Sequence, residues 1–323
     1  MNAIMYDLCF PAPTTAAGDP RRVGVELKFS YLEPGMVAGL LIDEFGGSIH
    51  RETDHETRVR VPELGDFLIQ IDMAVLTGLD QLSGGLAREF VVDVVPCELV
   101  TPLLAVETLP LLDRLVTRLR EASVEGTDDD LGYAFGVQFN PEAPALDAES
   151  ILGYLRAFVL LYDWLRSELG VDANRQLSTF IQPYPPSYAR KILADAYRPD
   201  LDTLMDDYLA ANPTRDRALD LLPLFGYLDE ARVRAVLDPE QTLSPRPAYH
   251  YRLPNSYVAH PEWRVTDEWC YWLALEWLVA DPARLQTMAR AYRRRTFTSA
   301  GRRRRDWATE VPNYLPAGPW CDL

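Results

Sequence analysis

Glu26 and Lys28 stand two residues apart in Arg22-Val23-Gly24-Val25-Glu26-Leu27-Lys28-Phe29-Ser30-Tyr31. Side chains on a strand alternate faces, so this stretch reads as a half-buried strand. Val23, Val25, Leu27, Phe29 and Tyr31 face a core, and Glu26, Lys28 and Ser30 face the other way. A carboxylate and an ammonium on one face make either a solvated pair or the floor of a site. The pattern recurs. Gln70 and Asp72 oppose Phe67, Ile69, Ile71 and Met73; Gln138 and Asn140 oppose Tyr133, Phe135, Val137 and Phe139; His250 and Arg252 alternate with Tyr249 and Tyr251. Glu98 lies among Val94, Val95, Leu99 and Val100, and a buried carboxylate must be paired or bind a cation. Pairing with an arginine is the structural alternative for it. Five such runs with acidic, amide and basic residues point to a concave polar site on a sheet.

Several devices are absent. The chain has no G-x-x-x-x-G-K-[ST] loop, no G-x-G-x-x-G after a strand, no G-x-S-x-G elbow and no H-E-x-x-H helix. Triad hydrolysis, dinucleotide redox chemistry and zinc proteolysis therefore lose their basis. Cys9, Cys97, Cys270 and Cys321 are scattered without metal-ligand spacing, which fits a reducing cytoplasm.

The elements that must position these residues follow from periodicity. After the first strand, Pro34 opens a helix with Val37, Leu40, Leu41 and Phe45, closed by Gly46-Gly47. Strands are expected at 48–51, 57–61, 67–73 and 90–101, the last broken by Pro96. Thr108 precedes a helix to Ala122 with Leu112, Leu115, Val116 and Leu119 on its buried stripe. From Asp147 helices dominate: one through Leu169, then 187–197, 201–211, 215–222 and 230–237. A short strand at 249–253 and two closing helices complete the chain, the second capped by Asp281 with Pro282 in its first turn. Trp269, Trp272 and Trp277 are expected in the core. The order is α+β, with a largely antiparallel sheet packed on helices. It is read as a single domain over 1–323: a β-rich core from 22–145 and 246–266, a helical section at 147–240, and C-terminal helices with a basic tail at 267–323.

At 323 residues, 48% hydrophobic and 25% charged, the composition is that of a soluble globular protein. The net charge of −16 argues against a general nucleic-acid binder, whose affinity rests on Lys and Arg neutralising phosphate. The cluster Arg293-Arg294-Arg295 with Arg302–Arg305 reads first as a solvated run or a counter-charge to this acidic body. The start of the sequence lacks the pattern of a signal peptide, and the most apolar run, 269–280, is interrupted by Glu276 and too short to span a bilayer. The expectation is a cytoplasmic protein with no membrane segment.

Gly24-Val25-Glu26-Leu27-Lys28-Phe29 resembles the opening G-V-E-x-E-F strand of the putative amidoligases, carboxylate–amine ligases with a glutamine-synthetase-like fold. Ile71-Asp72 is similar to the family's aspartate strand. Cys97-Glu98-Leu99-Val100-Thr101-Pro102-Leu103 is similar to its E-[LV]-[VI]-[ST]-P-x-L segment. Gly136-Val137-Gln138-Phe139-Asn140 takes the place of its G-x-H-x-H strand, Tyr251-Arg252-Leu253-Pro254-Asn255 that of Y-R-x-x-N, and Glu262-Trp263-Arg264 that of the following E-x-R. The resemblance spans about residues 22–280.

The resemblance implies ATP- and magnesium-dependent joining of a carboxylate to an amine or ammonia through an acyl phosphate, with an amino acid or peptide as substrate. Glu26, Glu98 and Glu262 would ligate magnesium, a hard cation that takes oxygen ligands. Arg252 and Arg264 would hold phosphate, which a guanidinium fork matches. Asp72 would orient the amine or take its proton. Lys28, Gln138, Asn140 and Asn255 would contact nucleotide or substrate. Lys28 stands where the family has a second glutamate, and Gln138 and Asn140 where it has histidines. These departures carry a second reading, a catalytically degenerate nucleotide- or peptide-binding protein on the same fold.

Overall fold

In the computed structural model Val23, Val25, Leu27 and Phe29 are buried, whereas Glu26 and Lys28 remain partly exposed, as the alternation predicts. The structure describes residues 8–29, 32–53, 55–71, 97–124, 136–171, 181–296 and 307–315. Asp72, the expected strand segments 72–73, 90–96 and 133–135, and Arg302–Arg305 lie outside the described residues. The chain divides into two compact units, described separately. A sheet unit comprises Arg22–Phe139 and Pro254–Thr266; a helical unit comprises Met1–Arg21, Asn140–Leu253 and Asp267–Leu323.

The sheet unit is built on β1 (Arg22–Phe29), β2 (Ser48–Glu52), β3 (Glu56–Val61), β4 (Gly65–Ile71), β5 (Cys97–Val100), β6 (Leu104–Ala105) and β7 (Val137–Pro141, which runs on into the helical unit). The strand order is β2-β3-β4-β5-β1-β7, and β2 through β1 pair antiparallel throughout. The expectation of a largely antiparallel sheet is met. Helix α1 (Pro34–Phe45) packs on β3 and β4 through Val37, Ala38 and Leu41, and against α2 (Leu109–Val124). The α2 stripe of Leu112, Leu115, Val116 and Leu119 is fully buried. The apolar faces of the strands and the two helices thus form one core, which leaves the opposite sheet face to polar side chains. Between α1 and β2 the backbone must take a positive φ of 113° at Gly47, where an added Cβ would sit 2.2 Å from the Arg60 carbonyl oxygen. Only glycine fits there.

The helical unit centres on α3 (Ala148–Glu168), which buries residues on most sides, among them Leu155, Phe158, Leu161 and Leu165. Asp147 caps it by accepting from the Ser150 amide at 2.9 Å, and Asp200 caps α5 (Leu201–Ala211) through Thr203 at 2.8 Å. The remaining helices are α4 (Pro186–Ile192), α6 (Leu222–Leu228), α7 (Glu230–Arg234), α8 (Val265–Val279) and α9 (Pro282–Thr296), with α9 packed on α3. β8 (Leu219–Asp220) pairs antiparallel with β9 (His250–Tyr251).

Two expectations fail here. The segment 215–222 is not a helix. Its backbone is drawn into a bridge between Arg217 and Gln182 and then into β8, and the pairing overrides the helical spacing of Ala218, Leu219, Leu221 and Leu222. Trp277 is not core: it is 44% exposed, while Trp269 and Trp272 on the same helix are fully buried. The helix is apolar on most sides, so composition alone does not reveal which side meets solvent.

The buried centre of this unit holds an ion pair that the sequence hides. Glu276 accepts from Arg21 at 2.8 and 3.0 Å, from Tyr154 Oη at 2.6 Å and from Trp272 Nε1 at 2.9 Å. Tyr154 in turn stacks on Tyr249 at 4.3 Å. Burial, then the Glu276 charge, holds the Tyr154 phenol well above the ordinary tyrosine range.

Candidate functional site

On the polar face of the sheet unit, register brings four side chains into one row across four strands. Glu56 on β3 pairs with Gln70 on β4, Gln70 with Glu98 on β5, and Glu98 with Lys28 on β1. Gln70 Nε2 donates to Glu98 Oε2 at 2.8 Å, and Lys28 Nζ lies 3.5 Å from Glu98 Oε1. Glu56 is held by Arg58 Nε at 2.7 Å. One row along, Glu26 and Arg58 occupy the same face with Val100 and Leu68 between them in register. Glu98 is therefore buried (9% exposed) and paired, as its apolar sequence context demands, with lysine in place of the arginine considered above.

The same strand places Cys97 on the opposite, core-facing side. Burial, with a smaller contribution from the Glu98 charge, pushes its thiol up to about 12. A thiol held protonated is no nucleophile, so Cys97 is a packing residue.

The other expected residues of this unit lie on β7, next to β1, and in the segment 254–266. Gln138 is partly exposed on β7. Asn255 is fully buried, donates from Nδ2 to Tyr257 Oη at 2.9 Å, and bridges Gly136 through its backbone. Glu262 and Arg264 are exposed. The segment that carries them is clamped by Arg120 of α2, which donates to the carbonyls of Val258, Pro261 and Trp263 at 2.8, 3.1 and 3.3 Å. No spacing in the sequence announces this role for Arg120.

Asn140 and Arg252 belong to the helical unit, each in a tight cluster. Asn140 Oδ1 lies 2.6 Å from both Arg246 Nη2 and His250 Nδ1. The arginine can only donate, which fixes the amide oxygen toward it. Arg246 Nη2 also lies 2.9 Å from His250 Nδ1, so the amide oxygen, the guanidinium and the imidazole form one three-way cluster. Asp220, fully buried, takes Arg215 Nε and, at 3.4 Å, Arg252 Nη2 on Oδ2, while Oδ1 accepts from the Leu222 amide at 2.9 Å. Two guanidinium groups thus share one carboxylate. Arg215, Arg246 and Asp220 escaped the sequence reading. Asp220 and Arg215 were hidden by the mistaken helix, and Arg246 lies in a Pro-rich loop without periodicity.

A family model described as "Putative amidoligase enzyme" matches residues 19–274. The chain belongs to that family. Neither the curated proteins nor the solved structures contain a match to it. The matched range includes every segment whose motifs resemble the putative amidoligases, from Glu26 to Arg264. Membership supports, at the coarse level, a ligase that acts on small molecules. Among the described residues no helix is long and apolar enough to cross a membrane.

The described carboxylates do not fit a magnesium cage built by the protein alone. Glu98 is committed to Lys28 and Gln70, Glu262 is exposed, and no three His, Cys, Asp or Glu side chains among the described residues are grouped to hold a metal. Magnesium commonly binds through one or two carboxylates together with substrate phosphates. That mode, and not an all-protein cage, is the one these residues allow.

Proposed function

We propose that this amidoligase-family protein is an ATP-dependent carboxylate–amine ligase of glutamine-synthetase-like fold, acting on an amino acid or peptide through an acyl phosphate. The observation that carries the reading is the polar row Lys28–Glu98–Gln70 on the polar face of an antiparallel sheet, in the segments that match the family. In the reaction a substrate carboxylate oxygen attacks the γ-phosphorus and ADP leaves. The amine nitrogen then attacks the acyl carbon, phosphate departs, and the nitrogen gives up a proton.

The chain's own residues suit the binding and neutralising parts of this reaction. Lys28 Nζ, 3.5 Å from Glu98, is a flexible ammonium that can turn toward phosphate, with Glu98 holding it in place meanwhile. Gln70 fixes the Glu98 carboxylate. Arg252, which shares Asp220 with Arg215 at a long 3.4 Å, is a second phosphate-binding candidate, and exposed Arg264 a third. Asp72 remains the candidate proton acceptor, and Gln138, Asn140 and Asn255 the candidate nucleotide or substrate contacts. Magnesium, held by one or two of the candidate ligands Glu26, Glu98 and Glu262 together with the phosphates, would neutralise the triphosphate when bound.

The test is incubation with ATP, magnesium, hydroxylamine as the amine, and a pool of amino acids and dipeptides as carboxylates. ADP release together with an amino acyl hydroxamate supports the ligase. The absence of both, with ATP binding retained, supports the second reading, a degenerate nucleotide- or peptide-binding protein. That reading is favoured by one observation: the Lys28 ammonium occupies a carboxylate that a metal would need.

A further inference from the structure

The helical unit contains a cleft of about 610 Å³, walled by the first turns of α3, the turn after α4, the end of α8 and the face of α9. It shares no residue with the clusters described above. Its size is that of a small-molecule pocket. Two of its lining residues are Arg156 and Arg198, in a protein whose net charge is −16.

Neither arginine forms an ion pair among the described residues. Arg156 donates Nε to the Ile192 carbonyl at 2.6 Å and Nη2 to those of Ala194 and Tyr197 at 3.4 and 2.8 Å. Its Nη1 makes no hydrogen bond among the described residues. Among the described residues Arg198 donates only to the adjoining Tyr197 carbonyl, at 3.2 Å. Two acidic residues also line the cleft: Glu149 in the first turn of α3, and Asp195, which is engaged by Arg290 and Arg293 of α9 at 3.6 and 3.2 Å. Burial and then the like charge of Arg198 hold the Arg156 guanidinium below the usual arginine value, and a bound anion would offset the like charge.

Apolar side chains, Leu152, Val279 and Leu285 among them, line one part of the cleft, and Glu149, Ser150 and Gln286 add polar groups to its walls. Gly153 opens the floor. Glycine weakens a helix interior relative to alanine. Yet an added Cβ here would meet only Val279 Cγ1, at an ordinary 3.5 Å. Packing does not call for glycine at this position; room in the cleft does.

We propose that this cleft binds a small carboxylate with an apolar body, its carboxylate on Arg156 and Arg198 and its apolar part over Gly153 and Val279. The inference stands whether or not the ligase reading does.

The probe is N-acetyl-leucine, with the neutral isostere N-acetyl-leucinamide and inorganic phosphate as controls, titrated calorimetrically into the full chain. The expected result is saturable binding of the acid, none of the amide, and affinity about tenfold weaker or less in Arg198→Gln and Gly153→Leu. Arg198 is exposed and makes one local bond, so its variant keeps the test valid if Arg156→Gln fails to fold. Equal binding of acid and amide, binding of the acid unchanged by Arg198→Gln, binding of phosphate alone, or no binding of the acid up to about 10 mM would each overturn the proposal.

Discussion

Two buried glutamates of this chain are held in opposite ways. Glu276 in the helical unit is gripped by a bidentate arginine, a phenol and an indole, all at 3.0 Å or less. Glu98 in the sheet unit has an amide at 2.8 Å and an ammonium at 3.5 Å. A rigid guanidinium fork whose side chain is wholly buried cannot leave without stranding a charge. A lysine on a flexible stem, partly exposed, can exchange its carboxylate for another anion. The first arrangement holds a fold together; the second leaves its ammonium able to turn toward another anion.

The comparison breaks first at Glu276. Replacing it by Ala should cost about 3–5 kcal/mol, because Arg21 would be left buried and unpaired. Urea unfolding measures this, and Arg21→Met combined with Glu276→Leu should recover most of the loss. If the single variant is as stable as the parent, the ion pair does not hold the unit together. Glu98→Gln should cost only about 1 kcal/mol in the same assay, since Gln70 and Lys28 keep partly solvated alternatives. Asp147→Ala and Asp200→Ala, which remove helix caps in the helical unit, should each cost about 1 kcal/mol in the same urea unfolding.

The last effect is one of pH. The Cys97 thiol is raised in the folded state from 9.0 to about 12. Folding therefore favours its protonated form. That contribution is fully present below about pH 9 and is lost as pH rises toward 12. Alkylation of Cys97 in the folded protein at pH 8 should be slower than in urea, and equal rates would show that the thiol is not held protonated.

How much of this was readable follows the range of the forces involved. The strand β1 was legible because Val23, Val25, Leu27 and Phe29 record burial at every second residue. Glu98 was legible because a carboxylate among Val and Leu residues must answer to something. Its answer, Lys28, stands in the sequence on the strand whose register decides it. The partner of Glu276 was not legible: Arg21 is 255 residues away, and nothing local in either segment names the other. Arg215 and Asp220 were lost for a related reason. Their short strand is set by its pairing with β9, while its apolar spacing mimics a helix turn. Polar side chains that are fixed by distant backbone, such as Arg120 on three carbonyls, leave no periodic trace at all.

The central claim, that the exchangeable carboxylate marks the working site and the saturated one does not, can be tested in one measurement. Melting temperature is followed with ATP and magnesium for the parent, Glu98→Gln and Glu276→Gln. The account predicts a ligand-induced rise in the parent, its loss in Glu98→Gln, and its persistence in Glu276→Gln on a lower baseline. No rise in the parent at millimolar ATP, or a rise unaffected by Glu98→Gln, would contradict it.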